Sequence, residues 1–149
     1  MFRGRSKHNL DSKGRLAIPA RFKEMLEQKG EDCLVVTNHD TGQDTCLWAY
    51  PRDEWRQIEE KAAKLPQFNR AANNYLRYFI SGAVECPLKN GRITLPPDLR
   101  EIAGLNKEVM LVGQLIKFEI WEKDKLDEEF QRSSESFAKA SESLSEFGI

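Results

Sequence analysis

NLDSKGRLAIPARFKE at residues 9–24 is answered by CPLKNGRITLPPDLRE at residues 86–101, a constant 77 positions later. Gly14 matches Gly91, Arg15 matches Arg92, Pro19 matches Pro96 and Glu24 matches Glu101. Leu16/Ile93, Ile18/Leu95, Phe22/Leu99 and Met25/Ile102 exchange one apolar residue for another. The same spacing pairs Leu34-Val35 with Leu111-Val112, and Trp48 meets Trp121 after a four-residue deletion. Self-similarity at a fixed period marks duplicated supersecondary units, so the chain reads as two copies of one unit.

Each copy is legible locally. Asn90-Gly91 is the dipeptide most favoured in two-residue hairpin turns, whose central residues both need positive φ, and Ser12-Lys13-Gly14 separates the corresponding extended runs of the first copy. Each unit is therefore expected to open with a β-hairpin. Leu16 and Ile18, like Ile93 and Leu95, alternate with polar or small neighbours, the period of a half-buried strand. Pro19 and Pro96-Pro97 then end the strand and start a helix, because proline's missing N–H costs nothing in the first helical turn. Phe22, Met25 and Leu26 recur at helical spacing before Gly30 stops the run, and Gly104 stops the shorter second copy. CLVVTN (33–38) with TCLWAY (45–50), and EVMLVG (108–113) with KFEIW (117–121), complete the units as strand pairs.

Four short strands and one helix cannot enclose a satisfactory core alone, so the copies must interlock. The expected fold is α+β: one pseudo-twofold β-barrel of two tandem hairpin–helix–hairpin units, with additional helices between and after them. The expected boundaries are 5–52 and 81–124 for the units, 53–80 for a helical connector and 125–149 for an acidic C-terminal helix or tail. In the connector Trp55, Ile58, Ala62 and Leu65, then Phe68, Ala71, Ala72, Tyr75, Leu76 and Phe79, stand at helical spacing, a stripe that packs on the barrel or meets another subunit. Leu126, Phe130, Phe137, Leu144 and Phe147 are widely spaced in a Ser- and Glu-rich segment, expected to be the weakest helix and to be disordered or in contact with a partner.

The 149 residues are 32% charged and 40% apolar, with no run approaching the roughly 18 apolar residues of a spanning helix. The basic start Met1-Phe2-Arg3-Gly4-Arg5 leads into polar residues rather than the apolar core of a signal peptide, so a cytoplasmic location is expected. Cys33, Cys46 and Cys86 are odd in number and unpaired in spacing, which suits buried, reduced thiols. Together with His8 and His39 they lack the local spacing of a zinc site, and no metal is expected. The chain has no Gly-x-Ser-x-Gly, phosphate-binding glycine loop, His-Glu-x-x-His or dinucleotide fingerprint. Glu59-Glu60 and Glu128-Glu129 lie in charged helical runs. Catalysis, a small-molecule substrate and a cofactor are not expected.

A net charge of −1 conceals an asymmetry. Residues 1–23 carry seven basic groups against Asp11 alone, +6, whereas residues 122–149 carry eight acids against four bases, −4. Such polarity favours an oriented polyanion. Lys13 and Arg15 flank the first turn glycine, Lys89 and Arg92 the second. A two-stranded β-ribbon fits the major groove of B-DNA, where arginine binds phosphate or pairs with guanine, and Arg3, Arg5 and Lys7 would extend the footprint. Arg15 and Arg92 can instead form ion pairs, as Arg15 with Asp11, that pin the turns; Asp11 can also orient Arg15 toward a phosphate.

At DSKGRLAIPARF and KNGRITLPPDLR the chain resembles the MraZ family, whose members contain two copies of the unit found in AbrB-like transition-state regulators. The resemblance spans residues 1–145 and rests on Asp11-x-x-x-Arg15, on Gly-Arg-x-x-x-Pro in both copies and on Trp48 and Trp121. It implies a swapped-hairpin barrel assembled into a ring-like homo-oligomer, nucleoid-associated, that binds double-stranded DNA at promoter repeats. The repeats lie upstream of a division and cell-wall gene cluster that includes its own gene, and family members act mainly as repressors. Asp11, Gly14 and Gly91 are then the orienting and turn-forming residues. The second copy departs from the signature, since Leu88 occupies the Asp11 position and Arg92 lacks that orienter. A ring would repeat the +6 segment into a positive face. The competing reading is a ring-shaped protein-interaction scaffold without specific DNA binding.

Overall fold

Two prolines frame the copies: Pro19 (φ −54°, ψ 144°) and Pro96 (φ −60°, ψ 148°) hold extended backbone immediately before a helix. A computed structural model describes residues 1–149. Its first copy contains β1 (Arg5–Asn9), β2 (Arg15–Ala17), α1 (Ala20–Gln28), β3 (Cys33–Asp40) and β4 (Thr45–Pro51). Then come α2 (Arg52–Ala62) and α3 (Arg70–Tyr75), the latter running into a π-helical turn over Leu76–Ile80. The second copy repeats the order as β5 (Val84–Pro87), β6 (Arg92–Thr94), α4 (Pro97–Ile102), β7 (Glu108–Gln114) and β8 (Lys117–Glu122), followed by α5 (Lys123–Ser143).

The opening strands do not pair as hairpins. Both turns close, but beyond them the strands part, and each finds its partner in the other copy: β1 with β7, β5 with β3, β2 with β6. Strands of three to five residues offer few hydrogen bonds, and their N–H and C=O groups are satisfied across the copies instead. One antiparallel sheet results, in the order β1-β7-β8-β4-β3-β5, beside a separate β2-β6 ribbon. Closure into a barrel is not made by strand pairing, because β1 and β5 are the sheet's edges. The pseudo-twofold is explicit in the register, where Leu16 faces Ile93 and Leu47 faces Ile120.

The register also relocates the deletion. Asn38 pairs with Leu47, and Leu111 pairs with Ile120, so the β3-β4 and β7-β8 hairpins coincide at an offset of 73. Leu34-Val35 therefore does not correspond to Leu111-Val112. The missing residues belong ahead of β3, where α1 has nine residues and α4 only six.

One face of the sheet and the ribbon enclose the principal core, to which both copies contribute: Leu16, Phe22 and Leu47 from the first, Ile93, Leu99 and Ile120 from the second. Phe2 is inserted there as well, edge-on to Phe22 and Phe118 at 5.0 and 5.3 Å between ring centroids. The opposite face is covered by helices, with Trp55 of α2 and Phe79 of the π-helical turn on Val35 and Tyr50, and Leu126 of α5 on Cys46 and Trp121. The two unit-ending tryptophans share one acceptor, since Trp48 and Trp121 donate their indole N–H groups to the buried Glu119 carboxylate at 2.8 and 3.0 Å. All three cysteines are buried and free, and burial pushes the Cys86 thiol up to about 12. No helix is long and apolar enough to cross a membrane.

The C-terminal segment is the longest helix, not a disordered tail. Glu122 caps it by accepting from the Asp124 and Lys125 N–H groups. Lys123–Asp127 and Arg132–Glu129 pairs brace its turns, and Arg132 also reaches Asp44 at 3.1 Å.

Candidate nucleic-acid interface

The β2-β6 ribbon turns Leu16 and Ile93 into the core, which leaves Arg15, Ala17, Arg92 and Thr94 on its outer face. Arg15 stands opposite Thr94 and Arg92 opposite Ala17, so the two arginines are diagonal neighbours about 7–8 Å apart at their Cα atoms. With Lys89, Asn90 and Glu85 they border one open cleft of about 370 Å³. Lys13 is exposed at the apex of the first turn.

In the first turn, Gly14 (φ 81°) donates its N–H to the Asp11 carbonyl at 3.0 Å, and the Asp11 carboxylate organises the rest. Its Oδ1 accepts from the Lys13 and Arg15 N–H groups at 2.9 and 2.8 Å, and its Oδ2 accepts from Arg15 Nε at 2.6 Å. The Arg15 N–H, then its guanidinium, hold the carboxyl below the usual aspartate range, so the pair is charged at neutral pH. Only Nε is engaged; both Nη groups lack a protein partner. The Asp11–Arg15 ion pair is therefore formed, and it leaves the Nη edge of the guanidinium open.

The second turn is of type I′, with Asn90 at φ 54° and Gly91 at φ 72° between Lys89 and Arg92, whose backbones exchange hydrogen bonds of 2.8 and 3.0 Å. Arg92 has no carboxylate partner. Leu88, at the Asp11 position, packs against the core.

Each turn is locked by the other copy. Ile18 donates to the Gly91 carbonyl at 3.0 Å and Leu95 to the Gly14 carbonyl at 2.8 Å, bonds that exchange under the 77-residue offset. The same exchange brings two cations that the sequence reading did not single out. Lys23 of α1 lies against Gly91, and Arg100 of α4 lies against Gly14, where its Nε donates to the Leu95 carbonyl at 3.1 Å. Lys23 and Arg100 are themselves 77 apart, the signal that would have found them.

The N-terminal arm is separate. Arg5 and Lys7 on edge strand β1 pair with Val112 and Met110, residues of the sheet face beneath α5. The Arg5 guanidinium sits 4.5 Å from the centre of the Phe130 ring, and Arg3 lies at the strand's start beside Gly113. The structure thus gathers Arg15, Lys89 and Arg92 in one cleft, with Lys13 at a turn apex, and sets Arg3, Arg5 and Lys7 along a sheet edge.

A family model described as "MraZ protein, putative antitoxin-like" matches residues 1–78 and again 79–147. The chain is 44% identical over 149 residues to the transcriptional regulator MraZ of Syntrophobacter fumaroxidans, covering 99% of this chain and 97% of that protein. It is 43% identical over 145 residues to the protein of the same name from Desulforamulus reducens, covering 97% of each. With that of Natranaerobius thermophilus it shares 41% over 150 residues, the full length of both.

Proposed function

Because this chain belongs to the MraZ family, we propose that it is a transcriptional regulator that binds double-stranded DNA sequence-specifically through the outer face of the β2-β6 ribbon and the turns beside it. Residues 5–52 and 81–124 are the units that build this face, interlocked as swapped hairpins. The observation that carries the reading is the pseudo-twofold pair of basic turns, each bearing an arginine on the ribbon and a cation from the other copy's helix. A two-stranded ribbon fits a major groove about 12 Å wide, and a pseudo-dyad matches the approximate symmetry of duplex DNA.

Arg15, held by Asp11 with its Nη groups free, is the residue placed to read a base edge or grip a phosphate in fixed geometry. Arg92, Lys13, Lys89 and Lys23 supply mobile positive charge to the backbone, and Arg100, held by the Leu95 carbonyl, adds a fixed one. Arg3, Arg5 and Lys7 extend the contact from the sheet edge. The relatives' shared name supports a role in transcription. The finer reading is repression of the division and cell-wall gene cluster that includes its own gene, by a nucleoid-associated, ring-like homo-oligomer on tandem upstream repeats. No cofactor enters the mechanism. Multivalency explains how a chain of net charge −1 holds DNA: identical weak contacts on neighbouring subunits add through effective concentration.

Fluorescence anisotropy against the DNA upstream of its gene and against a scrambled duplex, over a salt series and with Arg15→Ala alongside, tests this. Tight binding to the upstream DNA alone, growing with the number of repeats and lost in the variant, is expected. Equal weak binding to both duplexes would reduce the basic face to generic charge and leave a protein-interaction scaffold.

A further inference from the structure

Leu126, Phe130, Ser133, Phe137, Ala140 and Leu144 follow one another at spacings of four and three, a single stripe along α5. The stripe begins on the sheet, where Leu126 is buried against Cys46 and Trp121. It then runs past the body: from Ser133 onward every residue is exposed, Phe137 by 70% and Leu144 by 44%. Half of an apolar helix face therefore has no partner. A second uncovered apolar surface lies between α2 and α3, a groove of about 510 Å³ whose walls include Ile58, Ala62, Leu65, Ala71 and Tyr75.

The two surfaces are complementary in charge as well as in kind. Residues 58–77 around the groove contain Lys61, Lys64, Arg70 and Arg77 against Glu59 and Glu60, +2. Residues 133–149 contain Glu135, Glu142 and Glu146 against Lys139, −2. They do not meet within one chain. Between Lys123 and Ser143 the helix has neither Gly nor Pro, and it is pinned by Leu126 and by the Arg132–Asp44 pair, so reaching its own groove would require breaking it.

We infer that the projecting half of α5 docks by its Phe137–Leu144 stripe into the α2-α3 groove of a second copy of this chain, a helix-in-groove contact. Groove and helix are different patches, so the contact is heterologous: each copy offers one of each, and repetition closes a ring when the rotation permits. The inference rests on the self-association proposed above and assigns the surfaces that make it.

The test uses two full-length variants that leave the core intact. Phe137→Glu places a good helix former at an exposed helix position. Ala71→Glu adds an acid to the first turn of α3, where the helix dipole favours it, on the exposed groove wall. Sedimentation velocity should show the parent as a closed oligomer and each variant alone as a monomer with unchanged far-UV circular dichroism. A 1:1 mixture of the variants should form a heterodimer and stop there, because only one intact helix–groove pair can form. If Ala71→Glu alone assembles like the parent while Phe137→Glu does not, the helices pair with one another and the groove assignment is overturned. If both variants keep the parent's mass, the docking is wrong although self-association stands. A monomeric parent would sink both.

Discussion

Asp11–Arg15 and Lys89–Arg92 descend from one unit, hold the same glycine and arginine, and are locked by the same reciprocal bonds to the other copy, yet they treat their arginines differently. The first is a three-residue turn whose carboxylate engages two backbone N–H groups and the guanidinium together. The second is a two-residue turn closed by backbone alone, with Leu88 given to the core where the first copy has Asp11. Either route closes a turn that the other copy can lock, whereas only the carboxylate route also holds the guanidinium of the turn's own arginine. Duplication supplied two cations, and only one of them is pre-oriented.

The largest expected effect separates the two arginines. Arg15→Ala removes an oriented, charge-assisted contact of about 1–3 kcal/mol, so binding to upstream DNA should weaken roughly 5- to 150-fold. Arg92→Ala should cost well under half of that energy and chiefly flatten the salt dependence. Equal losses in anisotropy titrations would erase the distinction between the turns.

A stability difference of similar origin is expected at the glycines. A Cβ at Gly14 would stand 2.8 Å from the Leu95 carbonyl oxygen, a backbone atom, and 2.7 Å from Arg100 Nε. One at Gly91 would meet only the flexible end of Lys23, at 2.8 Å from its Nζ. Gly91→Ala should therefore cost mainly the left-handed backbone penalty, about 1–2 kcal/mol. Gly14→Ala should cost more, since backbone must also shift, and chemical denaturation of the two variants gives the order directly.

Asp11→Asn is the sharper probe of orientation. Oδ1 still accepts from both N–H groups, but an amide donor replaces Oδ2 and faces Arg15 Nε. Affinity should fall by about 1 kcal/mol, the net worth of one ordinary hydrogen bond, with Arg15 chemically intact. An unchanged affinity would make the carboxylate a turn-former only.

The smallest effect concerns the copies' outer faces. His39 stacks on Trp48 at 3.6 Å between ring centroids with its Nδ1 buried and unpartnered, whereas the 73-residue offset puts Val112 at its place in copy two. Burial holds the His39 imidazole below the usual histidine range. A folded-state pKa below the unfolded one gives stability that is present above about pH 6.5 and lost as pH falls through the folded value. Burial lowers His8 as well, so the melting temperature should be flat from pH 8 to 7 and decline below 6.5. His39→Phe should remove part of that slope; an identical slope in thermal melts would exclude His39 as a source. Asp11 is lowered too, but by hydrogen bonds to its charged form rather than by burial, and its hold on Arg15 should be lost only in acid, below about pH 4.

Sequence by itself determined what a few neighbouring residues can decide. Asn90-Gly91 specified a type I′ turn because few other dipeptides accept two positive φ angles, and Pro19 and Pro96 specified where helices begin because their own φ is fixed. Asp11 and Arg15, four apart across a turn, were close enough for their bond to be foreseen. The 77-residue repeat announced two interlocked units. Only the tertiary structure decided which strands pair, since three-residue strands carry no register information strong enough to choose between a local hairpin and the other copy. For the same reason it alone placed Lys23 and Arg100 against the opposite turns, and turned Arg5 toward Phe130. The length of α5 was also beyond local reading, because its Ser-rich surface has modest propensity while Leu126, the Glu122 cap and the Arg132–Asp44 pair anchor its first turns from outside the segment. Local dihedral preferences are written in adjacent residues; burial and charge pairing across the fold depend on residues that the chain brings together only when it is folded.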